Sequence, residues 1–157
     1  MKHRSKKERF YFDVGEAMSM SNMRCFINME TLEVDIHVGE DAWTFDETED
    51  TAIEAMNNPG KFLELETVPT HQSFRIMEAF IETVKDKSLQ AKLVHALEKK
   101  RPFANFKFII DNSNVRQQWF GFRDDAYTAI AKEWIEENAG DDLKEKIKAL
   151  PDVYIVE

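Results

Sequence analysis

The sequence predicts an α+β fold, with a small antiparallel sheet of about three strands in the N-terminal part and four or more helices in the C-terminal part packed on it. Three observations carry this reading. Leu32, Val34, Ile36 and Val38 alternate with Glu33, Asp35 and His37, the period of two of a half-buried strand. From Phe74 onward the period changes, and Phe74, Met77, Ile81 and Val84 recur at three or four on one helical stripe. The chain has 157 residues, 43% of them hydrophobic, enough for one core of ordinary size.

Taken in order, Met1 to Arg9 read as a flexible basic head, and residues 10–157 as a single globular domain. Phe10, Val14 and Met18 are spaced by four and predict a short helix from Phe10 to Met20. Met23–Asn28 and Leu32–Val38 predict a hairpin, joined by the polar turn Asn28-Met29-Glu30-Thr31. Its second arm is expected to bury Val34 and Ile36 and expose Glu33, Asp35 and His37. Ile53, Ala55 and Met56 predict a helix within Asp46 to Asn58, stopped by Asn57-Asn58-Pro59-Gly60. Phe62 to Val68 reads as the third strand.

Helices then dominate. After the Phe74 helix comes one with Leu89, Leu93, Ala96 and Leu97 inside, capped by Asp86 or Ser88. Pro102 ends the preceding run and suits the first turn of a short helix from Phe103 to Ile110. Asn114 and Gln117 suggest a capping box for a long helix running to about Asn138. Its expected inner face is Trp119, Phe122, Ala126, Ile130 and Trp134, with Gly121 a point of kinking. Trp119 and Trp134, about four turns apart, are expected to face one core. A last helix is expected from Asp141 to Leu150, then a short apolar tail from Val153 to Val156.

These blocks resemble the bacterial uncharacterised protein family 0158 of the UPF series. The resemblance rests on Phe26-Ile27-Asn28-Met29-Glu30-Thr31-Leu32-Glu33-Val34, Ile76-Met77-Glu78-Ala79-Phe80-Ile81, Lys100-Arg101-Pro102-Phe103 with Phe106-Lys107, Trp119-Phe120-Gly121-Phe122-Arg123, and Trp134-Ile135. It spans roughly Met23 to Asn138. It implies a small α+β domain and no established activity, so it lends no catalytic residues. The chain departs from the family at Leu32, where the hairpin turn usually has glycine.

Charge is unevenly spread. Thirty Asp and Glu against twenty-one Lys and Arg give a net charge of −9, which argues against wholesale wrapping of DNA. From Phe10 to Thr70 there are fourteen acids and two bases; from Lys85 to Arg123 there are nine bases and three acids. The two regions either neutralise each other or form separate surfaces for separate partners.

Chemical motifs are sparse. The sequence holds no phosphate loop, dinucleotide fingerprint, HExxH or nucleophile elbow. Cys25, the single cysteine, lies within a predicted strand and reads as a structural thiol. His3, His37, His71 and His95 share no helical metal spacing. Asp46, Thr48 and Asp50 faintly suggest a calcium loop, but Thr51 stands where its glycine belongs. No catalytic residue, metal site or cofactor is therefore expected. The basic N-terminus lacks an apolar core for a secretory signal, and no run approaches a membrane span, so a cytoplasmic protein is expected.

The strongest constellation is basic and aromatic. Lys92, His95 and Lys99 fall at i, i+3 and i+7 on a wet helix face that runs into Lys100-Arg101-Pro102-Phe103. Lys107 follows one turn on, and Arg116, Trp119, Phe120 and Arg123 share a face of the next helix. Lys99, Lys100, Arg101, Lys107, Arg116 and Arg123 are the expected anion-accepting residues. Phe103, Phe106, Trp119 and Phe122 are expected to be core residues joining the helices, with the bases reaching outward. The expected function is a non-catalytic binding or protein-interaction module. The alternatives are a polyanion- or RNA-binding surface and, third, an enzyme without a recognisable motif.

Overall fold

Three strands and six helices make up the described residues, 4–38 and 60–152, of the computed structural model. The fold is α+β, with the sheet in the N-terminal part. The elements are α1 (Lys6–Met18), β1 (Met23–Asn28), β2 (Val34–Val38), β3 (Phe62–Glu64), α2 (Thr70–Thr83), α3 (Lys87–Glu98), α4 (Pro102–Asp111), α5 (Arg116–Asn138) and α6 (Asp141–Lys148). The expected Asp46–Asn58 helix, the acidic cluster within it and the Val153–Val156 tail lie outside the described residues. The chain forms two compact units, one of Met1–Val68 with Tyr127–Glu157 and one of Pro69–Ala126.

The first unit is built on the sheet, in the order β2-β1-β3 with both pairings antiparallel. Consecutive Cys25, Phe26 and Ile27 are all buried, as a central strand covered on both faces requires. Cys25 opposes Ile36 and Ile27 opposes Val34, so the expected parity of the hairpin holds. Exposure does not alternate as expected, however. Asp35 is half-buried, as are Val34 and Ile36, because Asp35 stands opposite buried Phe26. Burial raises the Asp35 carboxyl above its usual range, with Glu33 adding to the effect.

The hairpin turn shows why the residue at position 32 matters. Asn28 Oδ1 accepts from the amides of Glu30 and Thr31, and the amide of Leu32 donates to Asn28 O at 2.8 Å. Closing the turn this way puts Leu32 at φ 63°, the left-handed region where glycine is unstrained and leucine is not.

α1 starts at Lys6, four residues earlier than expected, so Lys6 to Arg9 form helix rather than a loose head. The cause is Ser5: it is buried, its Oγ accepts from the Glu8 amide at 3.1 Å and donates to Asp152 Oδ1 at 2.9 Å. Phe10, Val14, Ala17 and Met18 are the buried residues of its inner face beside Gly15. The Cys25 thiol reaches Ala17 O at 3.6 Å, and the Val68 amide donates to Met18 O, fixing α1 on the sheet. Buried Tyr127, Ala131, Trp134, Ile135, Leu143 and Ile147 come from the last part of α5 and from α6.

The second unit has its own core. Met77, Phe80, Ile81, Val84, Leu93, Phe106 and Ile110 are buried together, with Trp119 and Phe122 packed against them. Edge-on contacts join Trp119 to Phe80 (ring centroids 5.3 Å) and to Phe106 (4.8 Å). Each fully buried side chain of this size contributes roughly 1.5–3 kcal/mol. Asp86 caps α3 as expected, its Oδ1 accepting from the amides of Ser88 and Leu89.

Two expectations for the long helix are corrected. The turn before α5 uses the Ser113 hydroxyl, which accepts from the Val115 amide, in place of the Asn114 box. Trp119 and Trp134 do not share a core: Trp119 belongs to the second unit and Trp134 to the first. Accordingly the buried residues of α5 are Tyr127, Ala131, Trp134 and Ile135, while Ala126 and Ile130 are half-buried. Gly121 is exposed and the helix assignment runs through it unbroken.

Candidate functional site

The basic, aromatic segment forms a cavity of about 360 Å³ between α3 and α4, lined by Lys92, His95, Ala96, Lys99, Asn105, Phe108 and Ile109. Helical periodicity makes both walls. On α3, Leu93 and Ala96 bury into the unit, and this sets Lys92, His95 and Lys99 at i, i+3 and i+7 along the rim. On α4, Phe106 and Ile110 turn inward. Phe108, two residues from each, is carried about 200° round the helix and stands 71% exposed.

The connection between the walls is tight. Pro102 opens α4, and Arg101 before it sits at φ 58°, again in the left-handed region. The Asn105 side-chain amide donates to Lys100 O at 2.8 Å, and the Asn105 backbone amide donates to Arg101 O. These bonds hold Lys99, Lys100 and Arg101, all exposed, at one end of the cavity.

The six expected anion-accepting residues divide into two groups. Lys99 lines the cavity, Lys100 and Arg101 are exposed in the connection between the two helices, and Lys107 is exposed on α4. Among the described residues no carboxylate lies within ion-pair distance of any of these four, nor of Lys92. Arg116 and Arg123 are already occupied. Arg116 Nε meets Asp111 Oδ1 at 3.3 Å, and its guanidinium lies 4.8 Å from the centre of the Phe120 ring. Arg123 pairs with Asp124 at 3.6 Å. At the rim, His95 Nδ1 and Glu98 Oε2 are 4.0 Å apart, on residues that are both well exposed.

The rings divide as well. Phe106, Trp119 and Phe122 are core, whereas Phe103 is 39% exposed and meets Phe74 edge-on at 6.5 Å. Phe108 and Asn105 were not singled out by sequence reasoning. The signal for Phe108 lay in the period itself, since a helix that buries Phe106 and Ile110 must turn Phe108 outward. Asn105 had no such signal, because its role depends on the backbone path at Lys100.

Cys25 lies in the other unit and is buried, and burial pushes its thiol up to about 11. Among the described residues no helix is long and apolar enough to cross a membrane.

A sequence model of the uncharacterised protein family UPF0158 matches residues 21–152, which include the hairpin and both walls of the cavity. The chain belongs to this family. A UPF0158 protein of Pseudomonas aeruginosa is 26% identical over 108 residues, covering 67% of this chain and 71% of the relative. No solved structure matches it significantly. The UPF0158 description carries no activity, so the chemistry of the α3–α4 cavity rests on its own residues. Those offer positive charge beside exposed apolar surface, a combination suited to a ligand that is both anionic and partly apolar.

Proposed function

We propose that this UPF0158 member is a non-catalytic interaction module that receives an acidic protein partner on the face formed by α3 and α4. The observation that supports this most is Phe108, 71% exposed in a cavity rimmed by Lys92, His95 and Lys99. A large exposed ring on a soluble unit has a use when a partner covers it. Lys92 and Lys99, which have no carboxylate within ion-pair distance among the described residues, supply steering and orientation. A cytoplasmic setting belongs to the same proposal, since a lone, buried, protonated thiol suits a reducing compartment.

Nucleic-acid binding is the second reading, favoured by the same ring, on which a base could stack between cations. Titration with polyglutamate and with single-stranded RNA at low salt separates the two. The proposal expects polyglutamate to bind, to weaken as salt rises and to bind the Lys92→Glu/Lys99→Glu variant poorly. Preference for RNA would replace it with the second reading, and no binding of either polyanion would end both. Charge reversal at Lys100 and Arg101 should weaken binding too, with almost no change in melting temperature, because exposed bases add little to stability.

A further inference from the structure

The shape of the cavity says more about the partner than its charge does. Both walls are helix faces: Lys92, His95 and Ala96 fall at i, i+3 and i+4 on α3, with Lys99 following at its C-cap, and Asn105, Phe108 and Ile109 fall at i, i+3 and i+4 on α4. The α3 wall therefore runs two turns, about 10 Å. Ala96 is buried beneath that wall, and Phe108 and Ile109 give the facing wall its apolar surface.

We infer that the occupant is an acidic amphipathic helix of a partner protein, laid along the furrow between α3 and α4. The inference rests on the proposed acidic partner and adds its conformation. Three arguments carry it. First, the backbone amides of both walls are engaged within their helices, so the furrow offers no ladder to an extended peptide. A strand lying there would leave its own amides and carbonyls unpaired, whereas a helix satisfies them internally. Second, Lys92, His95 and Lys99 repeat at the spacing that acids at i, i+3 and i+7 of a facing helix reproduce. Apolar residues one position on would then meet Phe108 and Ile109. Third, the basic side of the furrow is short, Lys92, His95 and Lys99, a length that a two-turn acidic stripe matches.

The test uses the full-length protein and a labelled synthetic peptide of about fifteen residues, long enough to form a helix when docked. It carries Glu at i, i+3 and i+7 and Leu at i+1, i+4 and i+8. A second peptide of equal charge has proline at its centre. The expected result is saturable binding of the first peptide, with gain of helical circular dichroism. Phe108→Ala and Lys92→Glu/Lys99→Glu should each weaken it by about tenfold or more at an unchanged melting temperature, as for an exposed anchor. The proline peptide should bind at least about tenfold more weakly. Equal binding of the two peptides, or polyglutamate binding while neither peptide binds, would overturn the helical occupant and leave the acidic-partner reading intact. RNA binding without peptide binding would overturn both in favour of nucleic acid. Failure of every probe at low ionic strength would also sink both.

Discussion

A β-carbon at Gly15 of α1 would stand 2.9 Å from both the carbonyl carbon and the carbonyl oxygen of Tyr127 in α5. The two helices approach backbone to backbone at this point, and only glycine permits it. Gly121, on the same α5, has nothing within 4 Å of the equivalent position. One substitution therefore has opposite effects at the two sites. Gly15→Ala is expected to destabilise the fold by about 1–3 kcal/mol, because backbone cannot move aside as a side chain can. Gly121→Ala should stabilise it by about 0.5–1 kcal/mol through helix propensity. Urea unfolding of both variants checks the pair, and a stable Gly15→Ala protein would refute the close approach.

Leu32 holds a left-handed conformation, φ 63°, in the β1–β2 turn. Leu32→Gly should remove strain of about 1–2 kcal/mol, partly offset by the greater freedom of glycine in the unfolded chain. The net expectation is a gain of about 0.5–1 kcal/mol. Leu32→Val should lose stability, since a β-branched side chain tolerates this region worst. Thermal melts in the order Gly above Leu above Val support the account; Gly below Leu would mean that the half-buried leucine contributes more by packing.

Arg101 is strained in the same way and also precedes proline, which crowds its β-carbon further. Arg101→Gly should raise the melting temperature while weakening binding of acidic probes. The two changes in opposite directions would mark Arg101 as a residue whose side chain serves the surface and not the fold. A loss of both would make it structural.

Trp119 and Trp134 serve separate cores. Each Trp→Ala change should cost roughly 3–5 kcal/mol, and in a partly stabilised background the double variant should show the sum of the two within about 0.5 kcal/mol. Strong coupling in the double-mutant cycle would argue for one shared core.

The Cys25 thiol titrates at about 11 in the folded protein, against 9.0 for an unhindered thiol, because burial disfavours the thiolate. The stability this contributes is complete below about pH 9 and is lost as pH rises through about 11, because the unfolded chain releases its proton first. Thiol-modifying reagents at neutral pH should leave the native protein unlabelled and label it after unfolding. Rapid native labelling would contradict the burial.

Local chemistry was enough to read much of this protein from its sequence. The pairing parity of the hairpin, the cap at Asp86, the break at Pro102 and the wet stripe Lys92-His95-Lys99 follow from period, cap and ring geometry, and each appears where those rules put it. The tertiary structure decided what depends on partners distant in the chain. Asp35 is half-buried because it falls opposite Phe26, Ser5 starts α1 early because Asp152 reaches it, and Gly15 is obligatory because Tyr127 crosses there. The long helix makes the same point. Its sequence carries apolar residues for two stripes, and only packing assigned Trp119 to one core and Trp134 to another. For the candidate site, the charge was legible as nine bases against three acids. Which of those bases remain open, and that Phe108 stands exposed among them, depended on where Asp111 and Asp124 came to lie and on which face α4 buries.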